Sequence, residues 1–252
     1  MAWLAAAGCV PTGNVGAQDA GASPPLVVRP TPPPPSPPSD VLRTPFEDNF
    51  DRTAPVVAPT EAGGSPWVEP GPDWVATGAG IWRIEGGQLC GERAHNRGIW
   101  LNRVLPVNAR IEFDATSGSA DGDLKAEYWG DGRSYATALS YTNATSYLAI
   151  FGGWHNKFHV LARINEHAPD RKEIAVDPAS DDPRERPVVA AQHYHFKVER
   201  ADGRTVRWWI DGVEMLNYAD GAPLTGPGHD HFGFNDWEVR VCFDSVRVVP
   251  LP

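Results

Sequence analysis

Three short stretches hold most of the side chains that could do chemistry: "DGDLKAEYWGDGR" from Asp121, "GGWHNKFH" from Gly152, and "GHDHFGFNDW" from Gly228. Side chains alternate between the two faces of a strand. Read that way, the first stretch puts Asp123, Lys125, Glu127 and Trp129 on one face, and the second puts His155, Lys157 and His159 on one face. Glu127 and His155 fall mid-strand, where each needs a polar partner if buried. The histidine pairs His193/His195 and His229/His231 point both rings the same way, a spacing suited to zinc or copper. Neither pair has a third ligand, and Asp230 falls on the opposite face of its strand. His155 and His159 have the spacing of helical metal sites, but in a strand they stand about 13 Å apart. They read as surface or groove histidines. The sequence has no G-x-S-x-G, no P-loop and no glycine-rich loop entering a helix, so it lacks the marks of a serine hydrolase or a nucleotide-binding fold.

The elements that must hold these residues are strands. Short alternating runs between Gly, Asp, Asn and Pro recur from residue 45 onward, and no window sustains a 3.6-residue apolar period. In "PVNARIEFDAT", Val107, Ala109, Ile111 and Phe113 share one face; in "HYHFKVER", Tyr194, Phe196 and Val198 do. "RTVRWWIDGVEMLNY" reads as a hairpin turning at Asp211-Gly212. In "WEVRVCFDSVRVV" the parity slips between Phe243 and Val246, which predicts a bulge at Asp244-Ser245. A dozen or so such strands predict an all-β fold, a two-sheet antiparallel β-sandwich.

What precedes the strands is different in kind. The opening "MAWLAAAGCV" resembles the tail of a bacterial lipoprotein signal peptide, with a small-residue box before a lipidated Cys9. Residues 10–44, with nine prolines between Pro24 and Pro38, read as a disordered, extended Pro-rich tether. The expected organisation is therefore 1–9 signal remnant and lipidation site, 10–44 linker, and 45–252 folded domain. The expected location is the outer membrane or cell surface of an exported lipoprotein, touching membrane through the lipid alone. A net charge of −10 with no Lys/Arg run argues against nucleic acid as a partner. Cys90 and Cys242 either form a disulfide or remain two small buried apolar residues.

The order "WRIEGGQL", "LPVNARIEFDAT", "WWIDGVEML", "GHDHFGFNDWEVRVCFDSVRVV" resembles the concanavalin A-like jelly rolls of lectins and glucanases. It is nearest to the 3-keto-disaccharide hydrolase (DUF1080-like) domains. The resemblance spans roughly residues 45–250 and rests on core and turn residues, so it implies fold more than activity. It implies that the opening stretch and the last strand share a sheet, seating Cys90 beside Cys242. It also implies a sugar groove on the concave sheet, where aromatic faces stack on pyranose rings and polar groups take the hydroxyls. Trp100, Trp129, Arg133, Trp154, His159, His231, Asn235 and Trp237 are its candidate ligand-binding residues. The expected partner is an oligo- or polysaccharide and the expected state a monomer. Were the domain instead an enzyme on glycosides, Glu127 or His155 would act as the acid/base and Asn235 or His231 would orient the sugar; a third reading is a structural envelope or adhesion module without a small ligand. The glucanase pattern of this fold, E-x-D-x-(x)-E, is incomplete: Glu112 and Asp114 fit, but Thr116 and Ser117 replace the second Glu. That pair reads as polar outer face. No cofactor is required, and Asp121 and Asp123 are candidate ligands for a structural calcium of the kind such folds place in edge loops.

Overall fold

The computed structural model describes residues 41–52, 56–57 and 67–252. Cys9 and nearly all of the proline-rich stretch lie outside them. Among the described residues the first half of the chain forms β1 (Phe46–Asp48), β2 (Val56–Val57), β3 (Trp67–Val68), β4 (Trp74–Ala76), β5 (Arg83–Glu85), β6 (Gln88–Gly91), β7 (Ile99–Leu101), β8 (Ala109–Ser117) and β9 (Leu124–Gly130). The second half forms β10 (Tyr147–Gly152), β11 (Phe158–Arg163), β12 (Lys172–Ala175), β13 (His193–Arg200), β14 (Thr205–Ile210), β15 (Val213–Ala219), β16 (His231–Asn235) and β17 (Val241–Pro250). They make two antiparallel sheets. The larger runs β15-β14-β13-β8-β17-β6-β5-β3-β2, with β1 joining β17 on the side that β6 occupies; the smaller runs β12-β11-β10-β9-β16-β7-β4. Before β1 the chain is already tied in, because Val41 bridges Val104 and the Leu42 amide donates to the Val104 carbonyl.

Alternation produces the main core. Ala109, Ile111, Phe113 and Ala115 of β8, Tyr194, Phe196 and Val198 of β13, and Val206, Trp208 and Ile210 of β14 are buried, while most of their neighbours are not. From the smaller sheet, Phe232 and Phe234 of β16 meet them, and Phe234 stacks on Phe243 of β17 at 3.9 Å between centroids. Burying each such ring contributes about 1.5–3 kcal/mol. The β14–β15 hairpin turns at Asp211 and Gly212, both at positive φ (49° and 81°), as a two-residue turn of matching twist demands. The β17 register slips between Asp244 and Arg247, with Ser245 at φ 53°; this is the bulge the parity break predicts.

Cys90 and Cys242 face each other in the β6–β17 register and are joined as a disulfide spanning a sequence separation of 152. Of the two alternatives left open for them, the structure takes the bridge.

A second apolar cluster lies on the face of the smaller sheet turned away from the larger one. Leu148 and Ile150 of β10 and Val160 and Ala162 of β11 gather there under Tyr141 and Ala144. The last two belong to the segment 131–146, which folds back over this face. Asp131 accepts from the Arg133 and Ser134 amides and donates its own amide to Thr145 Oγ1, closing the segment's base. The Tyr141 amide donates to Glu166 Oε1 at 2.7 Å, pinning its middle.

A cleft on the outer face of the smaller sheet

The segment 131–146 roofs only part of the sheet. Beside it a cleft of about 310 Å³ stays open. Lys125 of β9 and Ile150 of β10 form its floor with Asn96, Asp123 and Glu166; Trp154 and Trp237 line it, and Leu139 lines it from the roof. Both tryptophans are half-buried.

Trp154 and His155 come from a single turn, Gly153–Asn156, that connects β10 to β11. Trp154, His155 and Asn156 all have positive φ (53°, 57° and 58°), a conformation that is costly for side chains with a Cβ and persists only where the surroundings enforce it. Asn156 supplies the enforcement. Its amide nitrogen donates to the Ala120 and Val188 carbonyls, and its oxygen accepts from the Val188 amide. His155 is therefore in a turn rather than mid-strand, exposed and 3.5 Å from Asp121. Trp237 is set by its neighbours on both sides: its amide donates to Asp123 Oδ2, its carbonyl accepts from the His95 amide, and the His95 ring packs on its indole.

The floor is a buried charge cluster. Lys125 Nζ donates to Asn96 Oδ1 at 2.7 Å and lies 3.5 Å from Glu166 and 4.0 Å from Asp123. Burial alone pushes the ammonium down, but the surrounding carboxylates of Asp123, Glu166, Asp236 and Glu127 more than offset this and its pKa ends above the ordinary value. Asp236 is raised to about 7 by burial and by the Asp123 charge. Its Oδ1 is buried without a hydrogen-bond partner, which suits the neutral form.

Several expected residues stand elsewhere. Glu127 is fully buried under the roof; Asn235 donates to its Oε1, and Ser146 and Tyr141 donate to its Oε2. Burial raises it to about 7 against those donors, but neither Glu127 nor Asn235 lines the cleft. Trp100 shares that face and is 1% exposed, packed over Gly130 and Gly233 with its indole N–H on the Ser134 carbonyl. Trp129 is not on this face at all. The β9–β16 register shifts between His231 and Phe232, Trp129 takes φ 53°, and its ring turns into the main core beneath the Arg200 guanidinium. His159 is a core histidine: its Nδ1 accepts from the Gly152 amide, its Nε2 donates to the Arg186 carbonyl, and burial lowers its pKa to about 4. His231 packs on Gly132 and bonds Asp230, while Arg133 is 86% exposed beside Asp131. Asp121 and Asp123 are turned to His155 and to Lys125 and the Trp237 amide, and among the described residues no three His, Cys, Asp or Glu side chains gather as a metal would need. Glu112 and Asp114 lie on the outer face of the larger sheet against His195. Of the expected ligand-binding residues, the cleft brings together Trp154 and Trp237, with His155 beside them. Asn96, Glu166 and Leu139 also line the cleft, from loops where alternation carries no signal.

No protein-family model and no curated protein matches the sequence. Solved structures match it by shape. A carbohydrate-binding module of Bacillus subtilis has a TM-score of 0.50 and 16% identity, covering 71% of this chain and 96% of its own. The β-glucanase of Bacillus licheniformis has 0.50 and 10%, covering 82% and 98%. An alginate lyase in complex with an alginate trisaccharide has 0.51 and 10%, covering 86% and 100%. The shared fold is the concanavalin A-like jelly roll.

Proposed function

We propose that the domain binds an oligo- or polysaccharide, and that a short stretch of it sits in the cleft against Trp154 and Trp237. The observation that carries this reading is the pair of half-buried indoles held at an open cleft above a buried lysine–carboxylate–amide floor. Indole faces suit pyranose rings, the floor offers donors and acceptors to hydroxyls, and the volume is at the lower end for small-ligand sites. That structures of the same fold are named for binding or cleaving glycans supports it. Retention of the full chain on a glycan panel tests it; a panel from which the parent protein retains nothing would sink it.

A second reading, a glycoside hydrolase or lyase akin to the 3-keto-disaccharide hydrolases, is favoured by Asp123 and Glu166, which flank Lys125 and open to the same cleft. Mass spectrometry of the panel sugars after a day with the protein separates the two, since binding alone leaves every sugar intact. Neither reading needs a cofactor. Calcium on Asp121 and Asp123 would compete with His155 and Lys125 for those carboxylates, so treatment with a chelator is expected to leave binding unchanged.

We further infer an exported, monomeric lipoprotein held at the envelope by Cys9, with the Pro-rich linker as spacer up to Val41, where the chain is tied to Val104. The Cys90–Cys242 bridge supports an oxidising compartment. Metabolic labelling with a fatty-acid analogue should mark the protein, and the Cys9→Ser variant should carry no label.

A further inference from the structure

We propose that the bound glycan crosses Trp237 into a second cleft, and that this second cleft takes an anionic substituent, a carboxylate or sulfate, on Arg97 and Arg93. The inference rests on the glycan-binding reading above. Trp237 and Leu139 line both clefts and so form the wall they share.

The two sides of that wall carry opposite charge. In the first cleft Asp121, Asp123, Glu166 and Glu238 contribute carboxylates, and every basic side chain there already has one: Lys125 has Glu166 and Asp123, His155 has Asp121, and His167 has Glu166. An anionic sugar would meet repulsion and no free cation. The second cleft is lined by Arg93, His95 and Arg97 and, among the described residues, by no acidic residue. His95 is engaged with Glu238 at 3.2 Å. Among the described residues Arg93 has only Glu92 at 4.0 Å, the two side chains 74% and 44% exposed. Among the described residues no carboxylate pairs with Arg97. Among the described residues, a chain of net charge −10 thus leaves the Arg97 guanidinium without a carboxylate beside its aromatic platform, and a guanidinium fork suits a carboxylate or sulfate in two-point contact.

The loop that presents these groups is rigidly registered to the platform. Arg93, His95 and Asn96 have φ of 52°, 48° and 59°, three left-handed residues in four, the kind of backbone strain that clusters at ligand clamps. The Ala94 amide donates to Asp236 Oδ2, the Asn96 amide to the Asp236 carbonyl, and the His95 amide to the Trp237 carbonyl. Asn96 then reaches through to Lys125 in the first cleft. The Arg97 stem is positioned against Gly78, where an added Cβ would stand 3.3 Å from its Cδ.

The test is an array of immobilised oligosaccharides in matched neutral, uronate-bearing and sulfated forms, probed with the full chain. The acidic forms should bind at least about fivefold tighter than their neutral counterparts, the scale of one exposed ion pair. About 1 M salt should erase the difference. Arg97→Ala together with Arg93→Ala should bring the acidic-to-neutral ratio to about one, and Arg97→Glu together with Arg93→Glu should invert it, with unchanged thermal melts since both residues are exposed. Equal or tighter binding of the neutral forms by the parent, or a ratio that survives both substitutions, would overturn the proposal while leaving glycan binding intact. If no form of any charge is retained, the glycan-binding reading itself falls and takes this one with it.

Discussion

Glu127 and Asp236 are carboxyls that the fold holds near 7, Glu127 by burial alone and Asp236 by burial and the charge of Asp123. A carboxyl whose pKa rises on folding favours the folded state while it stays protonated, and that advantage is lost as pH climbs from its unfolded value through its folded one. Stability should therefore fall from about pH 4.5 to about pH 7, by up to roughly 1.4 kcal/mol per pH unit for each group. Thermal melts across that range should slope downward, and Glu127→Gln, which keeps the shape and removes the titration, should remove about half of the slope. A slope unchanged in the variant would mean Glu127 is ionised in its pocket. The tryptophans make a complementary prediction. Trp237 belongs to neither apolar cluster, so Trp237→Ala should weaken glycan retention about tenfold, some 1.4 kcal/mol, with little change in melting. A lost cooperative melt would make it a packing residue instead. At this scale the sequence was a partial guide: a tryptophan's type is plain, but Trp129 and Trp237 differ in what the backbone does beneath them, and the bulge at Trp129, unlike the one at Asp244-Ser245, falls where both faces of the strand are buried and breaks no apolar parity.

The turn 153–156 and the roof 131–146 are the elements that make the cleft. Asn156→Ala deletes three side-chain hydrogen bonds and leaves a Cβ at φ 58° with nothing to hold it. It should cost about 1–3 kcal/mol and release Trp154, so that melting temperature and glycan retention fall together. Retention at the parental level would show that Trp154 is not needed. Strands with one open face, β8, β13 and β14, were legible from alternation, as was the hairpin at Asp211-Gly212. Strand β9 was legible as far as Glu127, because Lys125 and Glu127 alternate with the core residues Leu124, Ala126 and Tyr128. Strand β10 was not, because the roof buries its second face and every residue in it is buried, so no polar partner sets the rhythm. The roof itself had a faint signal in Tyr141 and Ala144, apolar residues amid Ser, Thr and Asn.

At the scale of the molecule, the disulfide ties β6 to the last strand, β17, across a sequence separation of 152. In the chain-entropy picture a loop this long is stabilised by up to about 5 kcal/mol. Reduction, or Cys90→Ala with Cys242→Ala, should lower the melting temperature by on the order of 10 °C, read by scanning calorimetry with and without reductant; no shift would make the bridge incidental. The pairing of β17 has a different consequence. It separates β8 from β6 and β1 in the larger sheet, yet follows all three in the chain. Until residue 250 has left the ribosome, the middle of that sheet is a gap, and β6 and β8 present unpaired edges of the sort that aggregate. A nascent chain unable to close its own sandwich stays threadable, which is the state a translocation channel accepts. For the exported lipoprotein proposed above, this strand arrangement permits passage before folding, with the bridge formed afterwards.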